Sequence, residues 1–347
     1  MAVYTTVNDP STFFQAMAYS GNGSNLSVTN DGNANLQPDF VWIKRRDGTG
    51  NHALTDSTRG GTNQLRSNTD AGQSQYGNVN MSFNSDGFSS SGSTLNDSGQ
   101  TYVGWQWKAN GGTTSSNASG SINSTVQANT AAGFSIVSYV GNAVNGASVG
   151  HGLTAVPQMI IFKRTDGSRN WMVYHQAMGP TKAMFLDLTA AADTDSVYFS
   201  NTAPTSGIFY LGTNNKGNGD GTAYIAYCFA EKQGYSKFGK YQGNSNADGA
   251  FIYTGFRPAF VMVKNISAGQ SWWMWDDKRI GYNAANYRLR ADQDTAEDSD
   301  SKVDFVSNGF KFRDGDNAWN YSGNDFLYMA FARNPFVTSD GVPTTAR

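Results

Sequence analysis

The heptapeptide Pro157-Gln-Met-Ile-Ile-Phe-Lys163 places an apolar run between a proline and a lysine, and two variants of it occur elsewhere in the 347-residue chain. The variants are Pro38-Asp-Phe-Val-Trp-Ile-Lys44 and Pro258-Ala-Phe-Val-Met-Val-Lys264. A Tyr-x-Gly-Asn string precedes each heptapeptide, and the three strings begin at Tyr19, Tyr139 and Tyr241. This recurrence indicates an internal repeat.

An apolar strand and an aromatic strand follow each heptapeptide. The apolar strands are Asn51–Asp56 (a weaker counterpart), Asn170–His175 and Ser271–Asp276. The aromatic strands are Tyr102–Trp107, Tyr224–Phe229 and Tyr328–Ala332. Four features thus recur in one order at nearly constant spacing, and we interpret the chain as three copies of one module.

The spacing of the lysines gives the boundaries of the copies. Lys163 follows Lys44 by 119 residues, and Lys264 follows Lys163 by 101. The excess is a stretch of Gly, Ser, Thr and Asn without hydrophobic periodicity, which predicts a flexible or extended linker. We divide the chain into copy one (1–110), the linker (111–132), copy two (133–233) and copy three (234–347). Each copy is expected to hold its own small core, since the period is too long for a solenoid.

The composition favours short strands joined by tight turns. The chain has 39 Gly, 21 Phe, 17 Tyr and 8 Trp, and helix signals are poor. Aromatic residues suit a pleated surface, and Gly and Asn tolerate the positive φ angles of turns. Turn residues separate the strand candidates about every 8–12 positions, as in a β-sandwich. The predicted fold class is all-β, with three tandem antiparallel β-sandwich modules.

Charge and cysteine content exclude several classes of protein. The net charge is -2 and 15% of residues are charged, so no basic block is present to bind nucleic acid. The apolar runs are too short to span a bilayer, and residues 1–10 lack the features of a secretory signal. Cys228 is the sole cysteine, which excludes a lectin stapled by intrachain disulfides.

Residues with catalytic potential are few. Glu231 and Glu297 are the only glutamates, and most aspartates lie in turns, so no carboxylate pair of the glycosidase kind stands out. His52, His151 and His175 have no partner at zinc-ligand spacing. We therefore expect no catalytic residue, no cofactor and no metal site.

An acidic cluster lies in copy three, at Asp292, Asp294, Glu297, Asp298, Asp300 and Asp304. Oxygen ligands of this kind bind Ca²⁺, but the stretch lacks the Gly-punctuated register of an EF-hand loop. A solvated acidic loop is the favoured interpretation. Whether residues 292–304 bind Ca²⁺ is left open.

Tryptophans of copy three are the candidate ligand contacts. Trp272 and Met274 share one face of a strand, and Trp273 and Trp275 share the other. One face must be core, and the other either packs in a core or subunit interface, which is favoured, or stacks on sugar rings. The sequence does not decide which face is core. Trp319 lies in a polar loop, where an exposed ring could contact a glycan. The candidate glycan-stacking residues are therefore Trp273 and Trp275 of the strand and Trp319 of the loop.

Five stretches of copies two and three resemble a known family of modules. They are Gly221-Thr-Ala-Tyr-Ile-Ala-Tyr-Cys-Phe-Ala-Glu231, Gly234-Tyr-Ser-Lys-Phe-Gly-Lys-Tyr241, Phe251-Ile-Tyr-Thr-Gly-Phe-Arg-Pro-Ala-Phe260, Val306-Ser-Asn-Gly-Phe-Lys-Phe312 and Met329-Ala-Phe-Ala-Arg-Asn-Pro335. They resemble repeat modules of bacteriophage virion proteins, often from marine phages, which are similar to concanavalin-like lectin sandwiches. The resemblance is close over about 133–347 and loose over 1–110, and it implies jelly-roll or concanavalin-like modules.

The resemblance implies a location and an architecture, and no reaction. The expected protein is a non-catalytic structural protein at the virion surface, a tail-fibre or adhesin subunit that presents loops to host-surface glycans. A capsid decoration or head-fibre protein is the first alternative, and a polysaccharide depolymerase is the second.

The same resemblance sets the expected partners. These are other virion proteins, a possible host-surface glycan and further copies of the chain in a homo-oligomer, with a trimer favoured. Neither nucleic acid nor membrane insertion is expected. We expect copy one to dock to the particle and residues 133–347 to project from it.

Overall fold

The computed structural model describes residues 5–76, 79–279, 287–300 and 303–344. Its regular structure consists almost entirely of antiparallel strands, so the predicted all-β class is confirmed. The described helices are short: a 3-10 turn at Pro10–Thr12 and the single-turn α-helices α1 (Ser93–Asn96) and α2 (Ser196–Phe199).

Copy one forms a five-stranded sheet covered by a three-stranded sheet. In spatial order the large sheet consists of β1 (Phe14–Ser20), β8 (Thr101–Trp107), β3 (Phe40–Arg45), β4 (Ala53–Asp56) and β5 (Gln64–Leu65). The small sheet consists of β2 (Leu26–Val28), β7 (Phe88–Ser91) and β6 (Asn80–Phe83). The heptapeptide strand β3 thus lies beside the last strand of the copy.

Copy two has the same arrangement with additional edge strands. Its large sheet runs β16 (Asp193–Thr194), β15 (Lys182–Phe185), β14 (Met172–His175), β13 (Met159–Arg164), β18 (Ala223–Phe229), β11 (Phe134–Val140), β10 (Ser124–Asn129) and β9 (Ser115–Asn117). The small sheet consists of β12 (Ala147–Gly150) and β17 (Ile208–Leu211). The prediction of a linker at 111–132 was wrong, because this stretch supplies β9 and β10 to the sheet of copy two.

Copy three repeats the pattern of copy one. Its large sheet runs β19 (Ser236–Gln242), β26 (Asp325–Pro335), β21 (Phe256–Asn265), β22 (Trp272–Asp276) and β23 (Leu289–Arg290). Its small sheet consists of β20 (Phe251–Tyr253), β25 (Gly309–Phe312) and β24 (Val303–Val306).

The three heptapeptides occupy the same place in the three large sheets. In each sheet the heptapeptide strand pairs with the last strand of its copy on one side and with the apolar strand on the other. The lysines face equivalent partners on the last strand: Lys44 pairs with Val103, Lys163 with Ile225 and Lys264 with Leu327. This register makes Phe326, and not Tyr328, the equivalent of Tyr102 and Tyr224.

Both faces of each large sheet are buried, which answers the question of which face is core. The inner faces of all three sheets meet in one aromatic cluster, where Phe40 stacks on Tyr227 at 4.2 Å and the rings of Trp107 and Phe260 lie 6.1 Å apart. The outer faces pack against the small sheets in three separate clusters. Each copy has its own outer core, as expected, and the inner core is shared by all three copies. Copy one is therefore packed against the other two copies, and its docking to the particle stays a prediction.

Equivalent hydrogen bonds join each copy to another in a closed ring. The Nε1 of Trp171 donates to Arg66 O at 2.9 Å, and the Nε1 of Trp272 donates to Phe185 O at 2.8 Å. His52 closes the ring, since its Nε2 lies 2.9 Å from Arg290 O. The strand registers make the three acceptor residues equivalent, so copy two contacts copy one, copy three contacts copy two and copy one contacts copy three.

Each Tyr-x-Gly-Asn string lies at the end of a strand and contacts a loop that makes the same hydrogen bonds in all three copies. In copy two, the Tyr139 hydroxyl donates to Gly217 O at 2.7 Å, and Asn142 N donates to Asn218 Oδ1 at 2.9 Å. Gly141 is required between them because a β-carbon there would lie 2.5 Å from Gly219 O. The other two strings make the same contacts.

Candidate ligand-binding cavity

The three predicted glycan-stacking tryptophans lie in the outer core of copy three. Trp273 is 6% exposed, and Trp275 and Trp319 are 0% exposed. Trp319 packs edge-on against Trp273 at 5.2 Å and against Trp275 at 5.8 Å. For Trp273 and Trp275 this burial agrees with the favoured interpretation of core packing. The expectation that Trp319 is exposed was wrong, because Trp319 turns inward from its polar loop and donates from Nε1 to Asp314 Oδ1. Their faces are therefore not open to a sugar.

Two arginines complete this packing in copy three. The guanidinium of Arg288 lies 4.4 Å from the Trp273 ring and 4.8 Å from the Trp319 ring. Arg290 lies 4.5 Å from the Trp273 ring. Cation–π stacking of this kind holds four large side chains together and fills the space between the apolar strand and the loop at Trp319.

The same space in copy two is filled by different residues. The registers make Met172 equivalent to Trp273 and Phe185 equivalent to Arg290. Met172 packs so closely on the loop that its Cε lies 2.4 Å from where a β-carbon of Gly217 would stand. Lys216 Nζ lies 5.2 Å from the centre of the Phe185 ring. Copy two is therefore closed at this position.

Copy one is open at this position. Ala53 occupies the place of Met172 and Trp273. Leu95 occupies the place of Trp319, because their carbonyls accept from the equivalent hydroxyls of Tyr19 and Tyr241. The smaller side chains leave a partly enclosed cavity of about 210 Å³. It is lined by Arg45, Thr49, Gly50, Asn51, Ala53, Gln64, Arg66, Thr94, Leu95, Asp97 and Tyr102.

Polar groups without partners line this cavity. Gln64 is 2% exposed, and its Nε2 has no hydrogen-bond partner among the described residues. The Nε of Arg66 is buried and likewise unpartnered there, while its guanidinium stacks 3.5 Å from the Tyr76 ring. Burial lowers the pKa of Arg66 from its usual value. Unsatisfied buried donors cost about 1–3 kcal/mol each, so a ligand that accepts hydrogen bonds would stabilise the site.

The charges around the cavity are nearly balanced. Arg45 is paired, since its Nε lies 2.8 Å from Asp47 Oδ1. Asp97 and Arg66 both line the cavity. The site thus offers donors and an acceptor together with an apolar wall of Ala53 and Leu95.

One comparison with known proteins identifies the family. A model of a domain of unknown function, DUF7483, matches residues 9–335. The chain belongs to the DUF7483 family. No curated protein and no solved structure matches it.

The histidines and glutamates of this DUF7483 chain make structural contacts. His175 Nε2 lies 3.3 Å from Tyr328 O, and His151 Nε2 lies 3.1 Å from Thr205 O. Glu231 pairs with Lys237 at 2.7 Å. Within the described ranges, no group of three His, Cys, Asp or Glu residues is arranged to hold a metal ion. Among the same residues, no helix is long and apolar enough to cross a membrane.

The acidic cluster of the DUF7483 chain is tied to arginines and backbone amides. Glu297 pairs with Arg46 of copy one at 2.8 Å. Asp298 pairs with Arg288 and Arg290, and Asp292 Oδ1 accepts a hydrogen bond from Trp272 N at 2.8 Å. The Glu297–Arg46 pair joins copies one and three, and the other contacts lie within copy three.

Proposed function

We propose that this DUF7483 chain is a non-catalytic structural protein of a bacteriophage particle, a tail-fibre or adhesin subunit that contacts host-surface glycans. The resemblance of copies two and three to virion modules supports the location. The structural contacts of the histidines and glutamates support a role without a reaction.

An exposed aromatic pair carries the glycan-contact part of the proposal. Phe251 and Tyr253 of the edge strand β20 are 47% and 58% exposed, whereas Ile252 between them is buried. Alternate residues of a strand share a face, so the two rings form one surface. Lys311 lies opposite Phe251 and pairs with Asp248 at 2.5 Å. Rings for the apolar face of a sugar thus lie beside groups for its hydroxyls.

The proposal includes a homo-oligomer, with a trimer as the first expectation. Strand β20 is at the edge of its sheet and carries two exposed aromatic rings, and such edges pair readily with another chain. Several copies would also strengthen weak glycan contacts through avidity.

Adsorption of particles to host cells tests the proposal. Particles that carry Phe251→Ala/Tyr253→Ala are expected to adsorb more slowly, while particles with Val140→Ala/Val144→Ala serve as controls because those side chains are equally exposed. Immunogold labelling should place the protein at the tail. Equal adsorption of the two variants would contradict the glycan-contact surface, and absence of label from particles would contradict the virion location.

A cleavage assay tests the non-catalytic part. Purified protein incubated with host polysaccharide is expected to release no reducing ends. Sustained release that follows protein concentration would contradict a purely structural role.

A further inference from the structure

We propose that the cavity of copy one binds one neutral sugar ring. This deepens the proposed function and rests on it only for the biological source of the sugar. The cavity is about 210 Å³, below the roughly 300–1,000 Å³ of pockets for drug-sized ligands, and therefore suits a single ring of a glycan.

The repeat shows that the cavity is not a general feature of the fold. At the position of Ala53, copy two has Met172 and copy three has Trp273, and both side chains are fully packed. The backbone at this position thus accommodates a large side chain in two of the three copies. Copy one instead has an alanine at a cavity lined by Gln64 and Arg66, and within the described part of the chain the Nε2 of Gln64 and the Nε of Arg66 have no hydrogen-bond partner.

The lining matches the groups of a sugar. Sugar hydroxyls donate and accept, so they need both kinds of partner. Gln64 and Arg66 line the cavity, and the Nε2 of Gln64 and the Nε of Arg66 have no hydrogen-bond partner among the described residues. Asp97 is a lining residue whose side chain can only accept when ionised. Ala53 and Leu95 provide an apolar wall for the C–H face of the ring.

The charge balance selects a neutral ring over an anionic one. Asp47 already pairs with Arg45, and Asp97 shares the lining with Arg66. A carboxylate or phosphate on the ligand would be attracted by Arg66 and repelled by Asp97, so its charge would gain little. A neutral ring meets no repulsion.

Titration of the intact chain with free monosaccharides tests this inference. The probes are glucose, galactose, mannose and N-acetylglucosamine, with glucuronic acid as the anionic comparison, followed by ligand-observed NMR. We expect saturable binding of at least one neutral sugar with a dissociation constant on the order of 1 mM.

Filling the cavity provides the decisive variant. Ala53→Met introduces the side chain that copy two has at this position, and it should weaken binding at least about tenfold, a change of about 1.4 kcal/mol. Gln64→Ala should also weaken binding, and it gives a second test if the methionine variant does not fold. Met172→Leu is the matched control, because it alters the filled position of copy two and should leave binding unchanged.

Three results would overturn the inference: no saturable binding of any neutral sugar, undiminished binding in folded Ala53→Met, or tighter binding of glucuronic acid than of every neutral sugar. These results are independent of the virion role, because particle labelling and adsorption are measured separately. Sugar binding by a protein absent from particles would uphold the cavity and reject the virion location.

Discussion

His52 should make the chain sensitive to mild acid, because it is buried as a neutral ring with both nitrogens in use. Trp42 Nε1 donates to His52 Nδ1 at 2.8 Å, so the proton of the imidazole is on Nε2 and faces Arg290 O and Gln293 O. Burial lowers the pKa of His52 to about 3, and the nearby Lys44 charge adds to the effect. Protonation in the folded state would also break the bond from Trp42.

The direction and size of the effect follow from the two pKa values. An unfolded histidine has a pKa of about 6.5, so at pH 5.0 the unfolded chain binds a proton at His52 that the folded chain does not. Stability contributed by the neutral ring is present above pH 6.5 and is lost as the pH falls toward 3. Between pH 7.5 and 5.0 the loss is about 2 kcal/mol. It depends little on the folded value, since any pKa below about 4 leaves the ring neutral at pH 5.0.

The double variant Trp42→Ile/His52→Trp isolates the contribution of His52 to the pH dependence of the free energy of unfolding. It installs in copy one the pair Ile161 and Trp171 of copy two, nearly conserves side-chain volume, and should cost less than about 1.5 kcal/mol at pH 7.5. The assay is urea unfolding of wild type and variant at pH 7.5 and 5.0. The variant should lose about 2 kcal/mol less than wild type on acidification, because all other titrating groups are shared. Equal losses would refute the buried neutral role of His52.

Three further substitutions test the packing, each by urea unfolding. Met172→Ala should open in copy two the space that copy one has and should cost about 2–5 kcal/mol; a cost below 1 kcal/mol would mean that the site is not packed. Gly141→Ala should destabilise by about 1–3 kcal/mol, since its β-carbon would meet Gly219 O at 2.5 Å. Its control is Gly207→Ala, whose added β-carbon would have no neighbouring atom within 4 Å, so the free energy of unfolding should hardly change. Asp276→Asn should cost about 3–5 kcal/mol. The reason is that Asp276 Oδ2 lies 2.7 Å from Nε of the fully buried Arg279 and accepts from Trp105 Nε1 at 3.0 Å. An unchanged free energy of unfolding would show that these two contacts of Asp276 do not stabilise the fold.

The strands and their order within a copy could be predicted from sequence, because each anchor has a local physical cause. The proline and lysine bracket a strand that is apolar on both faces, as the heptapeptide at 157–163 shows. The glycine of each Tyr-x-Gly-Asn string is fixed by a close backbone contact. Such constraints act over a few residues and are visible in one copy at a time.

The shared core and the role of residues 111–132 could not be predicted in this way. Whether Ser124–Asn129 forms a strand depends on pairing with Phe134–Val140, and its polar composition hides the partner. Both faces of Ser271–Asp276 are apolar, so the sequence indicated burial on one side without showing that another copy covers the second side.

The cavity was missed because it consists of small residues at large positions. Ala53 has no feature of its own, and it becomes informative only beside Met172 and Trp273 at the same register. Aligning the apolar strands of the three copies residue by residue would have revealed the difference. The prediction was drawn to Trp273 and Trp319, which fill the corresponding space in copy three.

Differential scanning calorimetry of the full chain is the most direct test of the central claim that three copies share one inner core. If they do, the 347 residues should unfold in one transition, with a van't Hoff enthalpy near the calorimetric value of roughly 240 kcal/mol. Separate transitions, or a van't Hoff enthalpy near a third of the calorimetric value, would show that the copies unfold independently and would contradict the shared core.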